Sequence, residues 1–126
     1  MREILFRGKR VDNGEWIEGF YCKDEYLKDR IWVLDEDNFL AWWEVDPATV
    51  GQFTGLLDKN GKRVFEGDIA NLDLHTAKYV CAYRSDHGAF MWNCLVTNEN
   101  RFLGHYGEKV IGNIHDCSQK MNEGEK

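Results

Sequence analysis

The stretch Thr49–Ile69, TVGQFTGLLDKNGKRVFEGDI, alternates short apolar runs with glycines and turn-forming residues. Its glycines permit close backbone contact or a positive φ angle. Asp58 precedes the pair Asn60-Gly61, and an aspartate at such a position accepts backbone N–H bonds within a turn. We interpret the stretch as an architectural corner in preference to a ligand-contacting segment. We expect an irregular crossing segment over Thr49–Leu57, followed by a tight turn.

Short extended segments predominate in the rest of the chain. Asn13-Gly14 lies between two apolar runs, which is the strongest short-range signal for a β-hairpin. Turn residues recur about every ten residues, and no segment has convincing helical amphipathicity. The sequence also contains twelve glycines and one proline. Together these features predict an all-β (mainly β) fold, in the form of a small bent barrel or a sandwich.

Three parts of the chain together resemble one protein family. Thr49–Ile69 is similar to the core signature of the YopX family of small phage and prophage proteins. The opening REILFRG (Arg2–Gly8) resembles the amino-terminal strand of that family, and VIGNIHD (Val110–Asp116) resembles its closing motif. The chain departs from the family pattern at His115, where an aromatic residue is common. The resemblance implies a mostly β fold with an SH3-like barrel in the C-terminal half, a phage or prophage origin, and no assigned activity.

The resemblance also suggests how the chain is organised. The motif residues, which we expect to be structural, are Gly51, Gln52, Phe53, Thr54, Gly55, Asp58, Gly61, Glu66, Gly67, Asp68, Gly112 and Asn113. We expect an N-terminal β-hairpin region over residues 1–46 and an SH3-like β-barrel region over residues 47–118, with a shared core. We expect residues 119–126 to be a polar tail. The division is placed at Pro47, the only proline of the chain.

The net charge of −6 is concentrated in one segment. Residues 24–46 contain eight acidic and two basic residues, while the remainder of the chain is neutral. A negative field of this kind repels phosphate backbones and attracts a basic partner surface. The plainer interpretation is a solvated acidic loop that aids solubility.

The sequence lacks the common catalytic and cofactor-binding motifs. It contains no Gly-x-Gly-x-x-Gly, phosphate-loop lysine, Gly-x-Ser-x-Gly or His-Glu-x-x-His pattern. The acidic run Asp35-Glu36-Asp37 lacks the ligand spacing of a calcium loop. Four cysteines without Cys-x-x-Cys spacing are typical of thiols in a reducing compartment. We therefore expect no enzyme activity, no catalytic residue, no cofactor and no metal site.

Aromatic residues beside the acidic run supply a candidate binding surface. Trp42 and Trp43 are adjacent in a predicted strand, so their side chains lie on opposite faces of it. At least one of them is expected to be exposed unless both faces are covered. The candidate partner surface consists of Trp32, Asp35, Glu36, Asp37, Trp42 and Trp43. The alternative is that these aromatic side chains fill the interior of a small barrel.

These features favour a non-enzymatic β module that binds a protein partner or associates with itself. The alternatives are a small barrel that binds nucleic acid and an acidic inhibitor of a host DNA-binding protein. Nucleic acid is the less favoured partner because the net charge has the wrong sign and the basic residues do not cluster. No apolar run is long enough to span a membrane, and no apolar signal region follows Met1. We expect the protein in the cytoplasm of a bacterial host, without a membrane partner.

Overall fold

The computed structural model describes residues 4–116 except residues 27, 35, 73 and 74. The described chain is almost entirely extended, which confirms the mainly β prediction. Its elements in chain order are β1 (Phe6–Lys9), β2 (Trp16–Lys23), β3 (Asp29–Leu34), β4 (Leu40–Glu44), a 3-10 helix (Pro47–Thr49), β5 (Gly51–Leu57), β6 (Arg63–Phe65), β7 (Asp68–Leu72), β8 (His75–Arg84), β9 (Ala89–Cys94), β10 (Asn100–Phe102) and β11 (Lys109–Asn113).

The chain divides into two compact units, Met1–Phe53 and Thr54–Lys126. In the first unit the antiparallel strands pair in the order β4-β3-β2-β1-β5. Its β1–β2 hairpin turns through the predicted Asn13-Gly14 pair. The division between the units falls within β5, and the part of β5 that lies in the second unit pairs with β6. The strands β10-β9-β8-β7-β11 form a separate five-stranded antiparallel sheet. Each unit combines hairpins between neighbouring segments with one long-range pair, β1 with β5 in the first unit and β7 with β11 in the second.

Aliphatic side chains fill one face of the first unit's sheet, which we call the inner face. Ile31 and Val45 are buried there, with exposed fractions of 0% and 1%. They pack over the backbone of β1 and β2, because Gly8 and Gly19 leave room for them. A Cβ atom on Gly19 would stand 2.1 Å from the carbonyl oxygen of Trp32 and 3.0 Å from Cγ2 of Ile31. The inner face thus requires glycine at position 19.

The core of the second unit lies on one face of its five-stranded sheet. Tyr79 pairs with Cys94 and Cys81 pairs with Trp92, so β8 and β9 present these side chains to the same face. The buried cluster consists of Val64, Ala70, Leu72, Tyr79, Cys81, Trp92, Cys94 and Val110. The apolar run that begins at Ala89 in the sequence therefore supplies a core strand, β9.

The small bent barrel predicted from the sequence is not closed in the described part of the chain. In the described part of the chain, the five-stranded sheet of the second unit is open, with β10 and β11 as its two edge strands. Closure of the sheet would need these two edges to pair. The SH3-like half expected over residues 47–118 stays a prediction. Turn spacing indicates how many short strands a chain contains. Closure depends on which strands become neighbours and on their stagger, which local patterns do not encode.

The prediction of an irregular segment over Thr49–Leu57 is also wrong, because Gly51–Leu57 forms strand β5. The first residues of β5 pair with β1. Further along, the Thr54 hydroxyl donates to the carbonyl oxygen of Val64 in β6, at 2.9 Å. Strand geometry is therefore stabilised by two different neighbours. Neither neighbour is visible in the local glycine-rich sequence.

We predict that Gly19→Ala lowers the free energy of unfolding by at least about 3 kcal/mol, because the added methyl group overlaps the Trp32 carbonyl. Gly14→Ala is the matched control. A Cβ atom there meets nothing within 4 Å, and its φ of +73° costs only about 1–2 kcal/mol for an L residue. Urea unfolding of both variants measures the difference. Equal losses of stability in the two variants would contradict the proposed close approach.

Candidate functional site

The opposite, outer face of β2, β3 and β4 carries a row of aromatic side chains. Phe20 pairs with Trp32, and Trp32 pairs with Trp42. Directly paired residues of antiparallel strands share a face, so the three rings form one cross-strand row, which we call the aromatic row. The ring centroids of Trp32 and Trp42 are 6.2 Å apart. Phe20 is 63% exposed and Trp42 is 44% exposed, whereas Trp32 between them is partly buried.

Aliphatic side chains extend the aromatic row towards the β3–β4 turn. Leu34 pairs with Leu40, two residues beyond Trp32 and two residues before Trp42. Because strand side chains alternate, both leucines lie on the outer face. Both are exposed. The outer face therefore combines three aromatic rings with two aliphatic side chains.

Arg30 covers part of the aromatic row. Its guanidinium carbon lies 3.7 Å from the ring centroid of Trp42, which is a cation–π contact. The Asp24 carboxylate lies 2.9 Å from Nη2 of Arg30 and also accepts from the backbone N–H groups of Tyr26 and Lys28. The Lys28 amide is the main reason that the pKa of the Asp24 carboxyl lies below its usual value. An ionised Asp24 thus holds the guanidinium over the indole.

A second group of cations lies on the outer face of β1 and β2. Lys9 pairs with Trp16. The guanidinium carbon of Arg7 is 4.6 Å from the Trp16 ring centroid, and Nζ of Lys9 is 5.4 Å from it. Positive charge on this face is therefore associated with aromatic rings at two places.

Part of the acidic segment has a structural role. Asp29 is buried and accepts the hydroxyl hydrogen of Tyr21, and this bond raises the pKa of Tyr21 to about 12. Asp46 accepts from the backbone N–H of Ala48 at 3.0 Å and so caps the 3-10 helix. The oxygens of such carboxylates are engaged in local folding. Fewer acidic groups than the sequence suggests are available for direct contact with a partner.

The three tryptophans of the predicted partner surface are divided between the two faces. Trp32 and Trp42 belong to the aromatic row on the outer face. Trp43 points to the inner face, since it pairs with the buried Ile31. Trp43 is partly buried, and the guanidinium carbon of Arg10 lies 4.8 Å from its ring centroid. The structure therefore brings together two of the three predicted tryptophans.

The acidic residues of the predicted surface are placed in the turn between β3 and β4. Glu36 and Asp37 are exposed there. Asp35 lies outside the described residues. The two described carboxylates stand at the end of the sheet that also carries the exposed Leu40.

Sequence reasoning did not assign Phe20 or Arg30 to the surface. The alternation of Trp16, Phe20 and Cys22 in one strand signals that they share a face. The β2–β3 register is needed to bring Phe20 opposite Trp32. For Arg30 the sequence contains no signal, because its position over Trp42 depends on the pairing of β3 with β4.

Asp58 connects the β5–β6 turn to β11. It is buried, and its Oδ1 accepts from the backbone N–H groups of Asn60 and Lys62, each at 2.9 Å. Its Oδ2 accepts from the N–H of Val110, also at 2.9 Å. Burial alone would raise the pKa of the Asp58 carboxyl, but the three N–H donors outweigh it and the pKa lies below its usual value. One carboxylate thus joins the central motif to the closing motif.

Asp68 and Asn113 form a second connection between the same two motifs. Asp68 is buried and accepts from the backbone N–H of Phe65 at 2.8 Å and from the side-chain amide of Asn113 at 3.2 Å. Gly67 beside it has a φ of +93°, and a Cβ atom there would stand 3.2 Å from Nδ2 of Asn113. The side-chain oxygen of Asn113 accepts from the backbone N–H of His115 at 3.0 Å. These residues act through contacts within the fold.

The remaining motif residues lie in β5, in the turns around β6 and in β11. They are Gly51, Gln52, Phe53, Thr54 and Gly55 in β5, Gly61 and Glu66 in the turns, and Gly112 in β11. Glu108, which sequence reasoning missed, resembles Asp58 in its role. Its carboxylate is buried and accepts from the backbone N–H groups of Gly104 and Tyr106 at 3.0 and 2.7 Å. A carboxylate after a glycine-rich loop is the signal that marks it.

The outer face can bind a partner through aromatic stacking, apolar contacts and the positioned guanidinium of Arg30. Within the described ranges, no three His, Cys, Asp or Glu side chains are grouped so that they could hold a metal ion. No helix in the part of the chain that the structure describes is long and apolar enough to cross a membrane.

The model of the YopX protein family matches residues 5–122. The chain belongs to the YopX family. The match includes both motifs that Asp58 and Asn113 connect, and it confirms the resemblance seen in the sequence. A search of curated proteins finds no match to this chain. Membership of the YopX family therefore leaves the role to be argued from the geometry of the site.

We predict that Asp58→Asn lowers the free energy of unfolding at pH 7 by about 1–3 kcal/mol, because a buried amide cannot accept from all three N–H donors. The folded pKa of Asp58 is lowered, so the stability from its ionised form is present above the unfolded pKa and is lost as the pH falls through the folded value. The gap between wild type and variant should therefore narrow below about pH 4.

Urea unfolding at a series of pH values measures this gap. Asp86→Asn is the control, since the pKa of Asp86 is also lowered, by its hydrogen bond from Arg84, but its side chain is exposed. We expect this variant to unfold at nearly the same urea concentration as wild type at every pH. A gap for Asp58→Asn that does not vary with pH would show that the carboxylate is not the group responsible.

Proposed function

We propose that this member of the YopX family is a non-enzymatic module that binds another protein through the outer face of β2–β4. The observation that carries the proposal is the aromatic row, in which Phe20 is 63% exposed and Trp42 is 44% exposed on either side of Trp32. Rigid strands hold these rings in fixed register. A contiguous exposed apolar surface of this kind is typical of protein interaction sites.

The composition of the outer face supports a protein partner. Tryptophan and arginine are the residue types most enriched among those that dominate binding energy at interfaces, and Arg30 over Trp42 supplies both. The guanidinium is already held by Asp24, so less side-chain freedom is lost when a partner docks. The exposed Leu34 and Leu40 add apolar area at the edge of the row. Self-association through the same face is the second form of this proposal.

The absence of catalysis belongs to the proposal as well. The buried carboxylates of Asp58, Asp68 and Glu108 accept hydrogen bonds from the chain itself, which is a structural use of acidic groups. A phage or prophage origin follows from what the resemblance implies about the YopX family. Cys22 and Cys94 are free thiols, which supports action in the reducing cytoplasm of a bacterial host.

We predict that Phe20→Ser combined with Trp42→Ser reduces capture of a partner from a bacterial host lysate by at least about tenfold, because both changes remove exposed rings at the centre of the proposed interface. We expect only a small fall in the thermal midpoint, because both side chains are exposed although Trp42 also contacts Arg30 and Trp32. Quantitative mass spectrometry of the captured proteins measures the loss. Sedimentation over a range of concentrations measures self-association of the same two samples.

Val96→Ser is the matched control for this experiment. Val96 is 81% exposed and belongs to the second unit, so its replacement removes an exposed apolar side chain that is not a member of the aromatic row. We expect it to leave both capture and oligomeric state unchanged. If the double variant also leaves both unchanged, the outer face is not the binding surface.

The second candidate function is binding of single-stranded nucleic acid. Proteins of this kind combine stacking aromatic rings with cations, and Arg7 and Lys9 beside Trp16 provide such a group on the outer face. The net charge of −6 opposes it. The third candidate, an acidic inhibitor that imitates DNA, is weakened because Asp29 and Asp46 use their carboxylates within the fold.

We predict no mobility shift of single-stranded DNA by the wild-type protein at about 50 mM salt, where electrostatic binding is strong. Repulsion by the acidic segment is the physical reason. Lys9→Glu is the accompanying variant, because it inverts a charge beside Trp16. A shift with wild type that disappears in this variant would favour the second candidate over a protein partner.

A further inference from the structure

The free edge of β4 is a second feature of the binding region. Among the described strands, β4 is the terminal strand of its sheet and pairs with β3 on one side only. The N–H of Val45 donates to the carbonyl of Asp29 in β3. Because backbone groups alternate in direction along a strand, Trp43 and Ala41 also direct their N–H and C=O groups towards β3. Glu44 directs its carbonyl oxygen away from β3, where it accepts a hydrogen bond from the N–H of Val11.

The same alternation places the backbone groups of Leu40 and Trp42 on the open side of β4. Leu40 and Trp42 lie before Val45, which pairs with Arg10 through an isolated β-bridge. The chain that enters the β1–β2 turn therefore covers only the C-terminal end of β4. Edge strands of native proteins commonly carry lysine, proline or a bulge that prevents further pairing. β4 has the sequence LAWWE and contains none of these. Its open side is therefore suited to accept another strand.

Charge at the two ends of β4 indicates which strand it accepts. Glu36 and Asp37 are exposed before it, and the exposed Asp46 follows it. Oδ1 of Asp46 caps the 3-10 helix, but its negative charge remains at this end of the strand. Glu44 contributes less, because its carboxylate lies 3.9 Å from Nζ of Lys28. Antiparallel pairing of two copies of β4 would bring the acidic turn of one copy opposite Asp46 of the other. Like charges at paired positions are destabilising. A strand with apolar residues at its centre and basic residues at its ends avoids this repulsion.

The geometry points to strand addition: an extended segment of a partner protein, apolar at its centre and rich in Lys or Arg at both ends, pairs with the open edge of β4. Backbone hydrogen bonds to Leu40 and Trp42 give affinity, and every second side chain of the added strand lies beside the aromatic row. The inference rests on the proposed function, because it names the partner class and the mode of docking for the same region. It adds a role for the β4 backbone that the aromatic row alone does not require.

The probe is a fluorescein-labelled peptide, Lys-Lys-Val-Thr-Val-Thr-Val-Lys-Lys, whose binding is followed by anisotropy. Two versions carry N-methyl groups on alternate residues, one version in each phase. In a paired strand only every second N–H faces the neighbour, so we expect one phase to weaken binding by at least about tenfold and the other by no more than about twofold. A version with Glu for every Lys should bind at least about tenfold more weakly than the parent peptide.

Variants of β4 test the same contact from the other side. Leu40→Pro removes an N–H that faces the open edge, so peptide binding should fall at least about tenfold while pairing with β3 remains. Leu40→Ala keeps that N–H and should bind within about threefold of wild type. In amide exchange, the N–H groups of Leu40 and Trp42 should gain protection when the peptide is bound. The N-methylated peptides keep the test decisive if Leu40→Pro does not fold.

Three results would overturn the inference: no measurable binding of the parent peptide, equal effects of the two N-methyl phases, or equal binding of the Lys and Glu versions. The proposed function has its own failure, which is unchanged partner capture by the Phe20 and Trp42 double variant. Capture that depends on Phe20 without phase-dependent peptide binding refutes strand addition alone. Phase-dependent peptide binding with capture that ignores Phe20 refutes the aromatic row alone.

Discussion

The close approach of β3 to the glycine backbone of β2 determines which side chains of the first unit reach solvent. The carbonyl oxygen of Trp32 and Cγ2 of Ile31 occupy the space that a side chain at position 19 would need. Ile31 and Val45 then fill the inner face almost completely. Strand alternation places the neighbouring Trp32 on the other face. The exposed aromatic row is thus a consequence of how the inner face is packed.

Carboxylates that accept backbone hydrogen bonds provide the other constraint on this fold. They are Asp24 and Asp46 in the first unit and Asp58, Asp68 and Glu108 in the second. Each satisfies N–H groups at turns that a sheet leaves without strand partners. Their charges still contribute to the long-range field of the protein. The oxygens that accept these bonds are committed to the fold, so direct contact with a partner falls mainly to the exposed residues of the β3–β4 turn.

Features set by adjacent residues were predictable from the sequence. The Asn13-Gly14 and Asn60-Gly61 turns, the mainly β class and the opposite orientation of Trp42 and Trp43 all follow from local chemistry or strand alternation. Features set by the choice of neighbouring strand were not. The open second sheet, the strand character of β5 and the position of Arg30 over Trp42 each depend on long-range pairing. The sequence placed the candidate partner surface on the β3–β4 hairpin, whereas Phe20 joins the aromatic row only through the register of β2 with β3.

An apolar edge beside acidic residues also limits which strands can pair with it. Leu40 and Trp42 would favour pairing with almost any extended apolar segment, including the same strand of another molecule. The carboxylates at the two ends oppose the identical strand, but ionic screening reduces their reach to about 8 Å at physiological salt. The carboxylates therefore repel a second strand mainly when the two strands pair, and much less while the molecules diffuse together. Selectivity at this edge therefore depends on which residues of the bound strand lie opposite the carboxylates. A strand with suitable charges is still repelled if its register places an acidic residue there.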